Sequence, residues 1–154
     1  MSHWTKGKAN LTCSVDQMAR ALVNIMPQWR NYIKVDESGQ LRIHNYYTRQ
    51  GDPSPVHIMV PCDQNTKMEG TPGVRYADMG LRKEEDGTWS FSIDEPYIEG
   101  GRSLKSNLVE EAMKVMTEDE AASQGYRTKR KGNKICVYVP VKEKHKRKGR
   151  LLGL

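Results

Sequence analysis

Residues 103–124 carry Leu104, Leu108, Ala112, Val115 and Met116 at steps of four, four, three and one, a spacing that lays one apolar stripe along an α-helix. A helix with a single stripe gains its stability by burying it, so the rest of the chain has to supply a matching apolar surface. Cap chemistry is present twice at its start. Ser103 can accept from the first unpaired backbone N–H groups, and so can Ser106 or Asn107, the latter with Glu110 three residues on. Gly125 suits the left-handed position just past the helix end.

A second helix is predicted near the start. Ser14 and Gln17 form a capping box, and Val15, Met18, Leu22, Ile25 and Met26 follow at helical spacing until Pro27. Before it, residues 4–13 alternate weakly and end in Leu11 and Cys13, which predicts a first strand. After it, residues 29–35 and 40–47 are expected to pair as strands around a turn at Asp36-Glu37-Ser38-Gly39. Gly51, Pro53 and Pro55 predict a loop, whereas Val56, Ile58 and Val60 predict a short strand that Pro61 ends. Residues 61–73 are expected to form a long loop.

The next hairpin can be put in register from its apolar pattern alone. Ala77, Met79 and Leu81 alternate along one strand, and Trp89, Phe91 and Ile93 along its partner. A two-residue Asp86-Gly87 loop would set Leu81 opposite Ser92 and expose one of the two apolar sets. A three-residue loop, Glu85-Asp86-Gly87, sets Leu81 opposite Phe91 and Met79 opposite Ile93. Because a slip of one residue turns every side chain to the other face, the pattern selects the longer loop, with Gly87 left-handed.

Beyond Gly125, residues 126–130 and 134–141 predict a last hairpin turning at Lys131-Gly132-Asn133. Ile135, Val137, Val139 and Val141 would share one face, and Lys134, Cys136 and Tyr138 the other, with Pro140 at an edge or strand end. Residues 142–154 are too charged, and too poor in apolar periodicity, to fold alone. The expected fold class is α+β: a mostly antiparallel sheet with two helices packed on one face, as a single domain over residues 1–141. A basic extended tail, 142–154, follows it.

Charge is distributed unevenly along this frame. Residues 127–154 hold eleven Lys or Arg against the single acid Glu143, a net of +10, while the other 126 residues hold fourteen bases and eighteen acids, a net of −4. No apolar run approaches the roughly 18 residues of a membrane span, and the start lacks the apolar core of a signal peptide. A cytoplasmic protein with no membrane partner is expected. Cys13, Cys62 and Cys136 lie far apart and never as C-x-x-C, the pattern of thiols used as small hydrophobes. A zinc site would have to recruit His3, His44, His57 or His145 from unrelated segments with no short ligand spacing. No cofactor is expected.

Several short signatures nevertheless fall in one order: Met1-Ser2-His3, an early strand leading to a capped helix, Gly80-Leu81-Arg82 in the central hairpin, and a helix ending Gln124-Gly125-Tyr126 before the last strands. Together, over residues 1–141, they resemble the hypothetical chloroplast reading frame thirty-five family, a small family of plastids and cyanobacteria with bacterial and viral relatives. The long 61–73 loop and the basic tail depart from it. The resemblance implies an α+β fold and no catalytic residue, because that family has no established activity.

Function has to be sought in the charge. In the last hairpin Arg127, Lys129, Arg130, Lys131 and Lys134 cluster near Tyr126 and Tyr138, and the tail adds Lys142, Lys144, Lys146, Arg147, Lys148 and Arg150. Cations that track phosphates beside rings that stack on bases are the usual means of holding single-stranded nucleic acid. The expected function is thus non-enzymatic binding of RNA or single-stranded DNA by Arg127, Lys129, Arg130, Lys131, Lys134, Tyr138 and the six tail cations. Two alternatives stay open: a solvated tail that serves solubility, and an adaptor that docks on another, acidic protein, with Trp4 or Trp29 as anchors. An enzyme would have to work with scattered pieces. Asp94, Glu95 and Glu99 could hold a divalent cation but equally suit a turn before a helix, and Cys62 with His57 lacks a supporting motif. No phosphate-binding loop, dinucleotide fingerprint, H-E-x-x-H or G-x-S-x-G occurs.

Overall fold

The computed structural model of the chain describes residues 3–44, 54–61, 74–95 and 101–141. Along the chain come β1 (His3–Ala9), α1 (Val15–Ile25), a 3₁₀ turn (Pro27–Trp29), β2 (Lys34–Val35), β3 (Leu41–His44), β4 (Ser54–Val56) and β5 (Ile58–Pro61). β6 (Val74–Lys83), β7 (Trp89–Glu95), α2 (Gly101–Ser123), β8 (Arg127–Lys131) and β9 (Lys134–Tyr138) complete it. The fold is α+β. Backbone packing divides the chain into two compact units, Met1–Met113 and Lys114–Leu154, with the division inside α2.

The first unit is built on a seven-stranded sheet in the order β1-β7-β6-β3-β4, with β5 also on β6 and β2 on β5. Every pairing is antiparallel except β3 with β6. The β6–β7 hairpin has the register that its apolar alternation requires: Met79 faces Ile93, Leu81 faces Phe91, and Gly87 closes the three-residue loop at φ +89°. Met79, Leu81, Trp89 and Phe91 are buried on the same face as Ile58 and Val60 of β5, while Met59 is buried on the other face with Ile43 and Val56. Trp89 is wholly buried, and its indole N–H donates to the Cys13 carbonyl at 3.0 Å. That bond satisfies a polar atom that would otherwise be stranded in the core. Burial also pushes the Cys13 thiol up from its ordinary range.

Both helices form where the apolar spacing calls for them. In α1 the Ser14 hydroxyl accepts from the Gln17 N–H at 3.0 Å, and the Gln17 side chain accepts from the Ser14 N–H at 2.9 Å. Val15, Met18, Ala21 and Leu22 are its buried stripe. Leu104, Leu108 and Ala112 are buried along the part of α2 in this unit. Lys105 reaches over the Phe91 ring, 5.7 Å from its centroid, and Asn24 of α1 donates to Glu111 of α2 at 2.9 Å. α2 begins at Gly101, so Ser103 lies within the first turn instead of capping it. The apolar stripe marks only the buried length of a helix, and here the helix continues one turn ahead of Leu104.

One expected strand is largely replaced and another is split. Residues 29–35 turn locally: Arg30 donates to Pro27, and Tyr32 and Ile33 both donate to Trp29, so only Lys34–Val35 is left for a ladder. The turn after it holds, with Asp36 accepting from the N–H groups of Ser38 and Gln40 at 3.1 and 3.0 Å and Gly39 at φ +71°. It does not join a hairpin, however. β2 pairs with β5, whereas β3 pairs with β4 and runs parallel to β6. The cause is a bend at His57 that splits the expected 56–60 strand, sending Val56 to β3 and Ile58 to β2. Ser54 and Pro55, expected in a loop, lie in β4, where proline is tolerated because the strand is at the sheet edge. The expected 61–73 loop lies outside the described residues except for Pro61, which ends β5.

The second unit holds the last turns of α2 and the β8–β9 hairpin as a separate two-stranded sheet. Gly125, at φ +79°, ends the helix, and the Tyr126 N–H donates to the Ala121 carbonyl at 2.9 Å. No helix among the described residues is long and apolar enough to cross a membrane.

Candidate nucleic-acid interface

The β8–β9 hairpin turns in two residues, Gly132 and Asn133, and not in the three that the sequence suggests. Gly132 sits at φ +59°, the left-handed geometry that tight hairpin loops demand. Lys131 therefore faces Lys134, Lys129 faces Cys136, and Arg127 faces Tyr138. A three-residue loop would have set Arg130 and Thr128 on the side of Lys134 and Cys136 instead. One residue of register thus decides which cations stand beside the tyrosine.

The result is a ribbon with two unlike sides. One presents Arg127, Lys129, Lys131 and Lys134 with Tyr138, all exposed, around the half-buried Cys136. Successive cations on β8 are about 6.7 Å apart along the strand, a ladder suited to a stretched phosphate backbone. Tyr138 is 44% exposed at the end of that ladder, with its ring available for stacking. The opposite side carries Thr128 and Arg130 across from Val137 and Ile135.

Arg130 is the one described residue of the expected set that does not join the ladder. Its guanidinium makes a two-pronged pair with Glu118 of α2, Nε to Oε2 at 2.9 Å and Nη2 to Oε1 at 2.6 Å. A bidentate pair fixes direction as well as distance, so Arg130 ties β8 to the end of α2. Arg130 stands on the side of the ribbon opposite the other expected cations of the hairpin. Lys142, Lys144, Lys146, Arg147, Lys148 and Arg150 lie outside the described residues.

The chain matches no family model, no curated protein and no solved structure. What it can do rests on its own geometry.

Other candidate chemistry is sparse. Among the described residues no group of three His, Cys, Asp or Glu could hold a metal ion. Cys62 and the side chains of Trp4, His44, Asp94, Glu95 and Glu99 lie outside what is described. Trp29 sits in the 3₁₀ turn, partly buried. His57, considered in the sequence as a zinc ligand and as a partner for Cys62, is a structural element: its Nδ1 accepts the Lys83 N–H at 3.0 Å and its ring meets Trp89 edge-on at 6.0 Å. Burial holds its imidazole below the ordinary histidine range. No short-range pattern marks that role, because Lys83 is 26 residues away.

Proposed function

We propose that the protein is a non-enzymatic, cytoplasmic binding protein whose C-terminal ribbon engages a polyanion, single-stranded RNA or DNA. The observation that supports this reading is the register of β8 on β9, which gathers four cations and one exposed tyrosine on a single side. Cations in regular steps follow a chain of phosphates, and a ring at the end of the row offers a base a stacking partner of about 1–3 kcal/mol. The six cations of residues 142–154 would extend the same track. Membership of the hypothetical chloroplast reading frame thirty-five family belongs to the same proposal and rests on the signatures quoted above.

A second reading has its own support. Val137, Val139 and Val141 are 41%, 60% and 38% exposed, an apolar run that a protein partner would cover. β9 stops at Tyr138 because Pro140 has no N–H to continue the ladder. The two readings separate in one experiment: binding of fluorescent single-stranded and duplex oligonucleotides to the full chain, to Lys129→Glu/Lys131→Glu, to Tyr138→Ala, and to Val137→Asp/Val139→Asp. Nucleic-acid binding predicts loss with the first two variants, retention with the valine variant, and preference for single strands. An adaptor predicts no oligonucleotide binding and a specific protein whose capture depends on the valines.

A further inference from the structure

The first unit carries a concavity that the ribbon does not involve. On the sheet face shared by Lys8, Ser90 and Arg82, three strands place a lysine, a serine and an arginine in one row, since Lys8 pairs with Ser90 and Ser90 with Arg82. In the next row Ser92 faces Gly80. In these two rows β7 shows the hydroxymethyl groups of Ser90 and Ser92, and β6 shows no side chain at Gly80. The trough measures about 330 Å³, and Pro55 and Val56 wall it. Ile43 and Val56 pack over Gly80, in the space a Cβ there would need, and with Met59 they form a buried cluster beside the trough.

The lining is chemically divided. Lys8, Ser90, Ser92 and Arg82 supply its polar groups, and the Pro55 ring and Val56 its apolar ones. Arg82 is held by Glu84, Nε to Oε1 at 3.0 Å and Nη2 to Oε2 at 2.9 Å, and Ser90 Oγ donates to the same carboxylate at 3.0 Å. Glu84 is set against Arg82, and Lys8 stands exposed on the same face, within electrostatic reach of Glu84 and Asp86. We propose that this trough binds a small organic anion: an anionic group held by Lys8 and Ser92, on a compact apolar body lying against Pro55 and Val56. Its volume is at the small end of ligand pockets.

The test is a ligand-observed NMR titration of the full chain with phenyl phosphate, benzoate and inorganic phosphate. Phenyl phosphate or benzoate is expected to bind with a dissociation constant of about 1 mM or below, and the comparison of the two identifies the anionic group. Inorganic phosphate, lacking the apolar body, is expected to bind about tenfold more weakly. Lys8→Glu and the trough-filling Ser92→Leu are each expected to weaken binding about tenfold or more, while Ser92→Thr retains it. Circular dichroism reports folding, and should Ser92→Leu unfold, Lys8→Glu at an exposed side chain decides the matter alone. Absence of binding by both organic probes, or full binding by Lys8→Glu, overturns the site. Equal affinity for inorganic and phenyl phosphate overturns the organic ligand class.

Discussion

Trp89 and His57 show how differently single residues contribute. Trp89 is wholly buried and hydrogen-bonded through its indole N–H to Cys13. Trp89→Phe keeps a ring in the core but leaves that carbonyl unsatisfied, so a loss of about 1–3 kcal/mol is expected in urea unfolding, beyond the cost of the smaller volume. His57 gives a pH signature. Its folded-state pKa lies below the ordinary 6.5, first through burial, with Lys83 and Arg82 adding to the shift and Asp36 and Glu37 opposing it. The unfolded chain therefore takes up the proton more readily, and the stabilisation is complete above about pH 6.5 and declines as the pH falls towards the folded value. Asp36, Glu84 and Asp86, each lowered chiefly by a side-chain hydrogen bond, act further into acid, where stability is lost as pH falls through their depressed values. His57→Asn, which can still accept the Lys83 N–H, is expected to remove the melting-temperature loss between about pH 7.5 and 5.5 and to leave the more acidic loss in place. Trp89 was legible in the sequence because it alternates with Phe91. His57 was not, because its bonding partner is distant in sequence and the bend it occupies interrupts the alternation around it.

The two well-defined hairpins make the same lesson sharper for elements. In β6–β7 apolar residues on both strands constrain the register, so only one loop length buries both sets, and the sequence predicts it correctly. In β8–β9 one strand is Arg-Thr-Lys-Arg-Lys, which has no apolar side to match against Ile135 and Val137, so backbone twist and Gly132 decide the turn. The candidate interface was therefore legible as a composition and not as a surface. Inserting one glycine beside Gly132 tests whether the surface matters. Charge is unchanged, but if the two-residue turn is kept the inserted glycine pairs with Lys134, which turns Arg127, Lys129 and Lys131 away from Tyr138. Oligonucleotide affinity is expected to fall about tenfold if stacking and cation contacts act together, whereas binding driven by charge alone would persist undiminished.

For the molecule as a whole, charge segregation makes ionic strength the natural probe. Four ladder cations on a single strand give a slope of about −2.8 in log affinity against log salt, or roughly a fiftyfold loss from 50 to 200 mM. Truncation after Val141 should preserve the thermal melt and the ladder's contribution to this slope, while a steeper slope in the full chain measures what residues 142–154 add. The sheet of the first unit has a different kind of consequence. β6 serves β7 along one edge and both β3 and β5 along the other, while β1 finds its partner only in β7. During translation, then, the first seventy-three residues emerge without the strand that joins them, and the nascent chain must carry unsatisfied strand edges until β6 and β7 leave the ribosome.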